Sequence, residues 1–336
     1  MATIAPLNPT HPTVLLNWAG RSVTEDLSGF VISATYTESL RKSKAGRDKV
    51  SLVLSNKNRI FCNAWYPQQG DTLKPGIAWT DRVTGRQKIW RWGAFTIDDI
   101  RFRFGPDEVV IGATATGASS DKMEQKQSRA WENISLRKLC DLLGKEAGMS
   151  CTFTGEDVIV LRVEQRNESS RELLTRLAGS FGLEIAMKDK AMFVGTPDMA
   201  TLTVDMANRA AVKSADIVAQ SHRTTAQAVV VEYYDPEKKE VMTYSTGSVT
   251  DDKHTQRYYD ADVGSMDEAK RFAQSKMTDK RRAESRLVLL NTPVAAGQKI
   301  VLSNAGKLPA NWRVEEQTTS VSTSNWQASI KMSKGK

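Results

Sequence analysis

The chain has 336 residues but only three cysteines and three histidines. An odd number of thiols (Cys62, Cys140 and Cys151), each set in an apolar pattern, is not a disulfide framework and fits a reducing compartment. His11, His222 and His254 lie far apart, without HExxH spacing or neighbouring cysteine pairs, so no metal site is read from them. Long hydrophobic runs are also missing. Nothing approaches the ~20 apolar residues of a spanning helix, so no membrane insertion is expected. The opening MATIAPLNPTHPTVLLNW lacks the basic and apolar regions of a secretory signal. A phosphate-cradling loop is absent as well, since GRSVTEDLSG has neither the lysine nor the spacing. No cofactor is expected.

What is present is ordinary for a soluble protein: 40% hydrophobic and 26% charged residues, with a net charge of +8. The length suits two or three domains. The positive charge is scattered apart from Arg41 to Lys49 and the Lys280–Arg281–Arg282 group. Neither has interleaved aromatics or a reading motif, so both read as solvated surface rather than a sequence-specific nucleic-acid face.

The clearest local signal is QRNESSRELLTRLAGSFGLEIAM, from Gln165 to Met187. Ser169 and Glu172 form a capping-box pattern that predicts a helix start. Leu173, Leu174, Leu177, Ala178 and Phe181 then give one apolar face. Gly182 is placed as the left-handed stop, and Leu183, Ile185 and Met187 alternate as a strand. The layout occurs about 34 residues earlier. Ser135 caps a helix carrying Leu136, Leu139, Cys140, Leu143 and Ala147, Gly148 ends it, and Met149, Cys151 and Phe153 alternate. Two such units predict a compact α+β domain, because neither helix buries its face alone. Asn133-Ile-Ser135 and Asn167-Glu-Ser169 match a glycosylation sequon but read more simply as helix starts.

Around this centre the chain is β. Residues 14–118 read as short strands with turns and no helix, including a hairpin turn at Val83–Arg86 and another at Gly105–Pro106–Asp107. Ile100, Phe102 and Phe104 are apolar residues available for either face. After residue 200 strands return at 228–234, 240–244, 287–290, 299–302, 312–315 and 326–332. Residues 245–262 read as a long loop, and Ser265 with Glu268 opens a helix carrying Ala269, Phe272, Ala273 and Met277. The expected fold is α+β, predominantly β. Two small barrel-like domains (1–118 and 201–336) flank a central α+β domain (119–200), with an inserted loop and helix at 245–284.

The two β regions share a pattern. Pro67, Gly70, Asp71 and Leu73 match Pro293, Gly297, Gln298 and Ile300. Phe95-Thr-Ile97-Asp98-Asp99 likewise matches Trp312-Arg-Val314-Glu315-Glu316. Three copies of a chain with two similar modules would present six quasi-equivalent modules. The acidic pairs Asp98–Asp99 and Glu315–Glu316 sit where neighbours on a strand face opposite ways, so they suit pairing better than a glycosidase dyad. No catalytic set emerges. Trp79, Trp90 and Trp92 gather around one hairpin, as barrel core or as an aromatic subunit interface.

Pro67-x-x-Gly70-Asp71-x-Leu73, Gly93-x-Phe95-x-Ile97-Asp98-Asp99-Ile100, Trp131 with the Leu136 helix, and Glu164-Gln165-x-Asn167-Glu168-Ser169 with Leu173, Leu177 and Ala178 follow in order. With Pro293 to Gly297 and Trp312-x-Val314, they resemble the phage late control protein D family of tail baseplate hubs, which is similar to the N-terminal part of VgrG spike proteins. The resemblance implies a structural, non-enzymatic late protein of the virion's tail baseplate, assembled in the host cytoplasm. It implies a homotrimer adapting a six-fold tail tube or tube adaptor to a three-fold spike, beside other baseplate proteins and a tape-measure protein in the lumen. A chain ending at Lys336 would take its spike from a separate trimeric protein. The Arg41 to Lys49 stretch departs from the more acidic family pattern. Two other readings remain: a peptidoglycan-binding or cell-wall-degrading tail component, suggested by LysM-like helix–strand units, and single-strand nucleic-acid binding by small barrels.

Overall fold

The computed structural model describes residues 12–39, 48–81, 84–115, 121–183, 185–188, 191–195, 200–219, 228–235, 238–247, 255–259, 263–280, 285–322 and 325–334. The first region holds β1 (Thr13–Trp18), β2 (Arg21–Ser22), α1 (Thr24–Leu27), β3 (Val31–Ser39), β4 (Lys49–Ser55), β5 (Thr72–Thr80), β6 (Gln87–Arg91), β7 (Phe95–Arg103) and β8 (Glu108–Ala115). Alternation builds these strands: in β4, Val50, Leu52 and Leu54 are buried and their neighbours are not. The region is not helix-free as expected. Thr24 ties α1 to β1 because its hydroxyl accepts from the Leu16 N–H at 2.9 Å and donates to the Leu16 carbonyl at 3.2 Å. Short 3₁₀ turns follow at Ser28–Phe30 and Ile60–Cys62.

The middle region comprises α2 (Asp121–Glu124), β9 (Lys126–Ser135), α3 (Leu136–Glu146), β10 (Ser150–Thr154), β11 (Ile159–Ser169), α4 (Ser170–Ser180), β12 (Ile185–Lys188) and β13 (Ala191–Gly195). Both predicted caps are made. Ser135 accepts from the Lys138 N–H, and Ser169 and Glu172 form the full reciprocal box. The accepted backbone bond holds the Glu172 carboxyl below the ordinary carboxylate range. The 34-residue repeat is visible in the backbone. Asn133 and Asn167 are both left-handed just before their caps, and Gly148 and Gly182 are left-handed just after their helices. β9 pairs antiparallel with β11, while β13 separates the two exit strands in the order β10-β13-β12. Leu136, Leu139, Leu143, Leu173, Leu174 and Leu177 share one core.

The third region holds β14 (Leu202–Asp205), β15 (Val212–Asp216), β16 (Ala228–Asp235), β17 (Glu240–Gly247), β18 (Thr255–Tyr258), α5 (Met266–Lys280), β19 (Ser285–Leu290), β20 (Lys299–Ser303), β21 (Asn311–Ser322) and β22 (Trp326–Lys334). The stretch expected as a long loop contains the end of β17 and all of β18, which runs parallel to β16. β17, β16 and β18 form their own sheet, and α5 covers it with Ala269, Phe272 and Ala273 on a core of Val229, Val231 and Tyr233.

The expected pair of barrels takes a different form. No closed barrel is formed among the described residues. β15-β19-β22-β21-β3-β4-β8-β7-β5-β1-β2 follow one another in a fourteen-stranded sheet, with β6, β20 and β14 branching from it. β21 makes the join. Its first part pairs with β20, and Glu316 to Ser322 pair antiparallel with β3.

Glu268 locks the inserted unit to the centre. Its carboxylate is 1% exposed and accepts from the Gly264 N–H at 2.9 Å and the Leu161 N–H of β11 at 3.1 Å. This modifies the expected capping box: the Ser265 hydroxyl accepts from the Glu268 N–H, but the acid reaches beyond the cap to another domain. Burial raises the Glu268 pKa, against the lowering effect of those bonds. The folded protein therefore holds this proton to higher pH than the unfolded chain, so stability falls as pH rises from the unfolded value through the folded one. Glu268→Gln should remove this component. Urea unfolding across pH 4 to 7 should show the wild-type stability minus the variant stability decreasing with pH.

Candidate assembly surface

The two β modules correspond bond for bond. The Gly70 N–H donates to the Ile97 carbonyl and the Ile97 N–H to the Asp71 carbonyl, both at 2.9 Å. In the second module the Gly297 N–H donates to Val314 at 2.9 Å and the Val314 N–H to Gln298 at 3.0 Å. Gly70 and Gly297 both have positive φ, near +94° and +89°, a conformation open to glycine without a Cβ penalty. Leu73 faces Phe95 as Ile300 faces Trp312. A bulge falls between Ile97 and Asp99 and another between Val314 and Glu316. β3 and β15 also carry equivalent bulges, at Val31/Ser33 and Val212/Ser214. β3, β4, β8, β7 and β5 thus correspond to β15, β19, β22, β21 and β20.

The bulges account for the acidic pairs. Asp98 accepts from the Thr114 hydroxyl and Glu315 from the Ser333 hydroxyl, the same contact in both modules. Asp99 pairs with Arg101 at 2.6 Å, and Glu316 pairs with Lys331 at 2.7 Å. An extra residue in a strand leaves the ladder locally broken, and here a carboxylate is hydrogen-bonded to the neighbouring strand beside each break.

The tryptophans form an aromatic cluster at the join. Trp79 and Trp92 are buried and Trp90 is half-buried. Trp92 stacks on Tyr36 of β3 at 5.1 Å, while Trp79 and Trp90 lie 5.2 and 6.2 Å from Trp326 at the start of β22. Burial, with Glu38 and Asp48 nearby, pushes the Tyr36 hydroxyl's pKa up. Tyr36 and Trp326 were not singled out in the sequence. Trp326 follows an alternating run, Trp312 to Ser322, whose polar inward residues Gln317 and Thr319 disguise a buried strand.

The other candidates disperse. His11, His222 and His254 lie outside the described residues, as does most of Arg41 to Lys49. No cluster of metal-ligating side chains is found among the described residues. Cys140 and Cys151 face each other between α3 and β10. Interaction with the neighbouring Cys151 thiol, with burial, raises the Cys140 pKa. Among the described residues, no helix is long and apolar enough to cross a membrane.

No family model matches the chain. Its fold is that of phage tail proteins. The 43 kDa tail protein of prophage MuSo2 from Shewanella oneidensis matches over 96% of this chain and 98% of its own, with TM-score 0.69 and 13% identity. A tail protein from Neisseria meningitidis matches with TM-score 0.70 and 11% identity, over 96% and 97% of the two chains. A chain of the Francisella PdpA–VgrG complex matches with TM-score 0.56 and 9% identity, over 96% of this chain and 58% of that one. Among curated sequences, the "Probable baseplate hub protein" of Escherichia phage P2 is 24% identical over 181 residues. That match takes in 53% of this chain and 43% of the relative. The resemblance to baseplate hub proteins read from the sequence is borne out in these matches.

Proposed function

We propose that this protein is a structural baseplate hub of a phage tail, a homotrimer whose six sheet modules meet a six-fold tube on one side and a three-fold spike on the other. The observation that carries the reading is the paired geometry of the modules, down to the position of the bulges. Two copies of one frame in a chain give three chains six similar contact surfaces, and closed symmetry is the usual state of an oligomer. The named relatives are tail and hub proteins, which supports a structural role in the virion. Native mass spectrometry of the purified chain should give a trimer, alone or once a trimeric spike is added. A monomer that persists with spike present would overturn the reading.

A further inference from the structure

The contacts between α3 and β10 run in a series. At one end the Arg137 guanidinium donates to the Phe153 carbonyl at 3.3 Å and lies 4.6 Å from the centre of the Phe153 ring. At the other end the Met149 N–H donates to the Gly144 carbonyl at 2.8 Å. The helix covers ~10 Å between these ends and the strand ~13 Å, so the two elements keep pace along one contact line. Near its middle, Cys140 of the helix meets Cys151 of the strand, both in the central core. Gly144 permits the approach: a Cβ added to it would lie 3.7 Å from the Cys151 Cβ. Cys140 stands one turn back on the same face. We propose that Cys140 and Cys151 are an oxidation site, a dithiol that a small-molecule disulfide such as oxidised glutathione closes into a bridge between α3 and β10. The bridge needs only the folded central domain. Its timing rests on the hub reading above, since a virion protein folds in a reducing cytoplasm and then leaves it.

The two thiols have different parts in the exchange. Cys151 is half-buried and Cys140 is 1% exposed, so Cys151 meets the oxidant first. Contact with Cys140 lowers the Cys151 pKa, against burial and the nearby Asp141, which favours the nucleophilic thiolate. That thiolate attacks one sulfur of oxidised glutathione. The glutathione S–S bond breaks, a mixed disulfide forms on Cys151, and one glutathione leaves as thiolate. Cys140 passes its proton to that thiolate and attacks the Cys151 sulfur, expelling the second glutathione, which takes up the proton Cys151 had released. Two electrons move from the cysteine pair to the oxidant, giving one protein disulfide and two glutathione thiols. Cys62 takes no part, because it lies in the first module, beside the Asn56 amide that donates to it at 3.2 Å. Closing the chain between Cys140 and Cys151 limits the unfolded state and ties the helix to its sheet.

The full chain, equilibrated with oxidised glutathione in native buffer and then alkylated, should be lighter by two hydrogens before alkylation is counted. Peptide mapping should find Cys62 alkylated and Cys140 joined to Cys151. Cys140→Ser should stop at a glutathione adduct on Cys151, and Cys151→Ser should leave Cys140 unmodified. The oxidised chain should melt about 5 °C higher than the reduced one, and amides of α3 and β10 should gain about tenfold protection from hydrogen exchange. Alkylation of both Cys140 and Cys151 after oxidation overturns the proposal. So does a glutathione adduct that persists on the wild-type chain, or a bridge that forms only in urea. A bridged chain that stays monomeric with spike overturns the hub reading alone, and a trimer that never bridges overturns the oxidation site alone.

Discussion

Replacing Trp326 by alanine should destabilise the protein by about 3–5 kcal/mol, the range for emptying a fully buried tryptophan site. The indole is 0% exposed and contacts both Trp79 and Trp90. It lies on the hairpin of β21 and β22 yet belongs, with Val321, to the core of the first module. The loss should therefore appear in residues more than two hundred positions away in sequence. Guanidinium unfolding should show a lower midpoint, and amides of β3 and β5 should lose protection from hydrogen exchange before those of α3 and α4. Unchanged protection in β3 would mean that the hairpin does not support the first module.

A change in the central domain should be as severe. Gly195 pairs with Thr154 in the parallel β10–β13 ladder and has φ near +117°. A Cβ placed there would run into the Thr154 carbonyl oxygen. That oxygen belongs to the backbone, so no rotamer change relieves the clash and the strands must part. Gly195→Ala should cost on the order of 4 kcal/mol, in the tail of single-substitution effects. A thermal melt would register it as a large fall in Tm. Hydrogen exchange would locate it at the amides of Cys151 to Thr154, with β4 and β8 unaffected.

Local features were the most legible ones. Ser135, Ser169, Gly148 and Gly182 mark helix ends because the capping bonds and the left-handed backbone involve neighbours within a few residues. The module repeat was legible through Gly70 and Gly297, where the backbone restricts the residue type. The continuity of the large sheet was not. Strand pairing between 33–39 and 316–322 leaves no periodic mark, and Gln317 and Thr319 look like surface residues. Once buried they turn to each other along the strand: the Thr319 hydroxyl donates to the Gln317 side-chain oxygen at 2.8 Å, while the Gln317 amide nitrogen has no hydrogen-bond partner. β18 was read as loop for a related reason. Its TQRY sequence gives too few apolar residues to show alternation, and its partner β16 secures it. The tryptophans announced a hydrophobic hub on their hairpin, but the partners that enclose them, Tyr36 and Trp326, come from the far ends of the chain.

The threading of β21 through both modules sets how the molecule is made. Thr37 and Thr318 touch although they are 281 positions apart, so the early strands wait for the late ones before their core closes. Such distant contacts slow folding and prolong exposure of sticky intermediates. During synthesis the first sheet emerges long before its finishing strand, and a chaperone able to shield the bare edge of β3 in that interval should raise the yield of native protein.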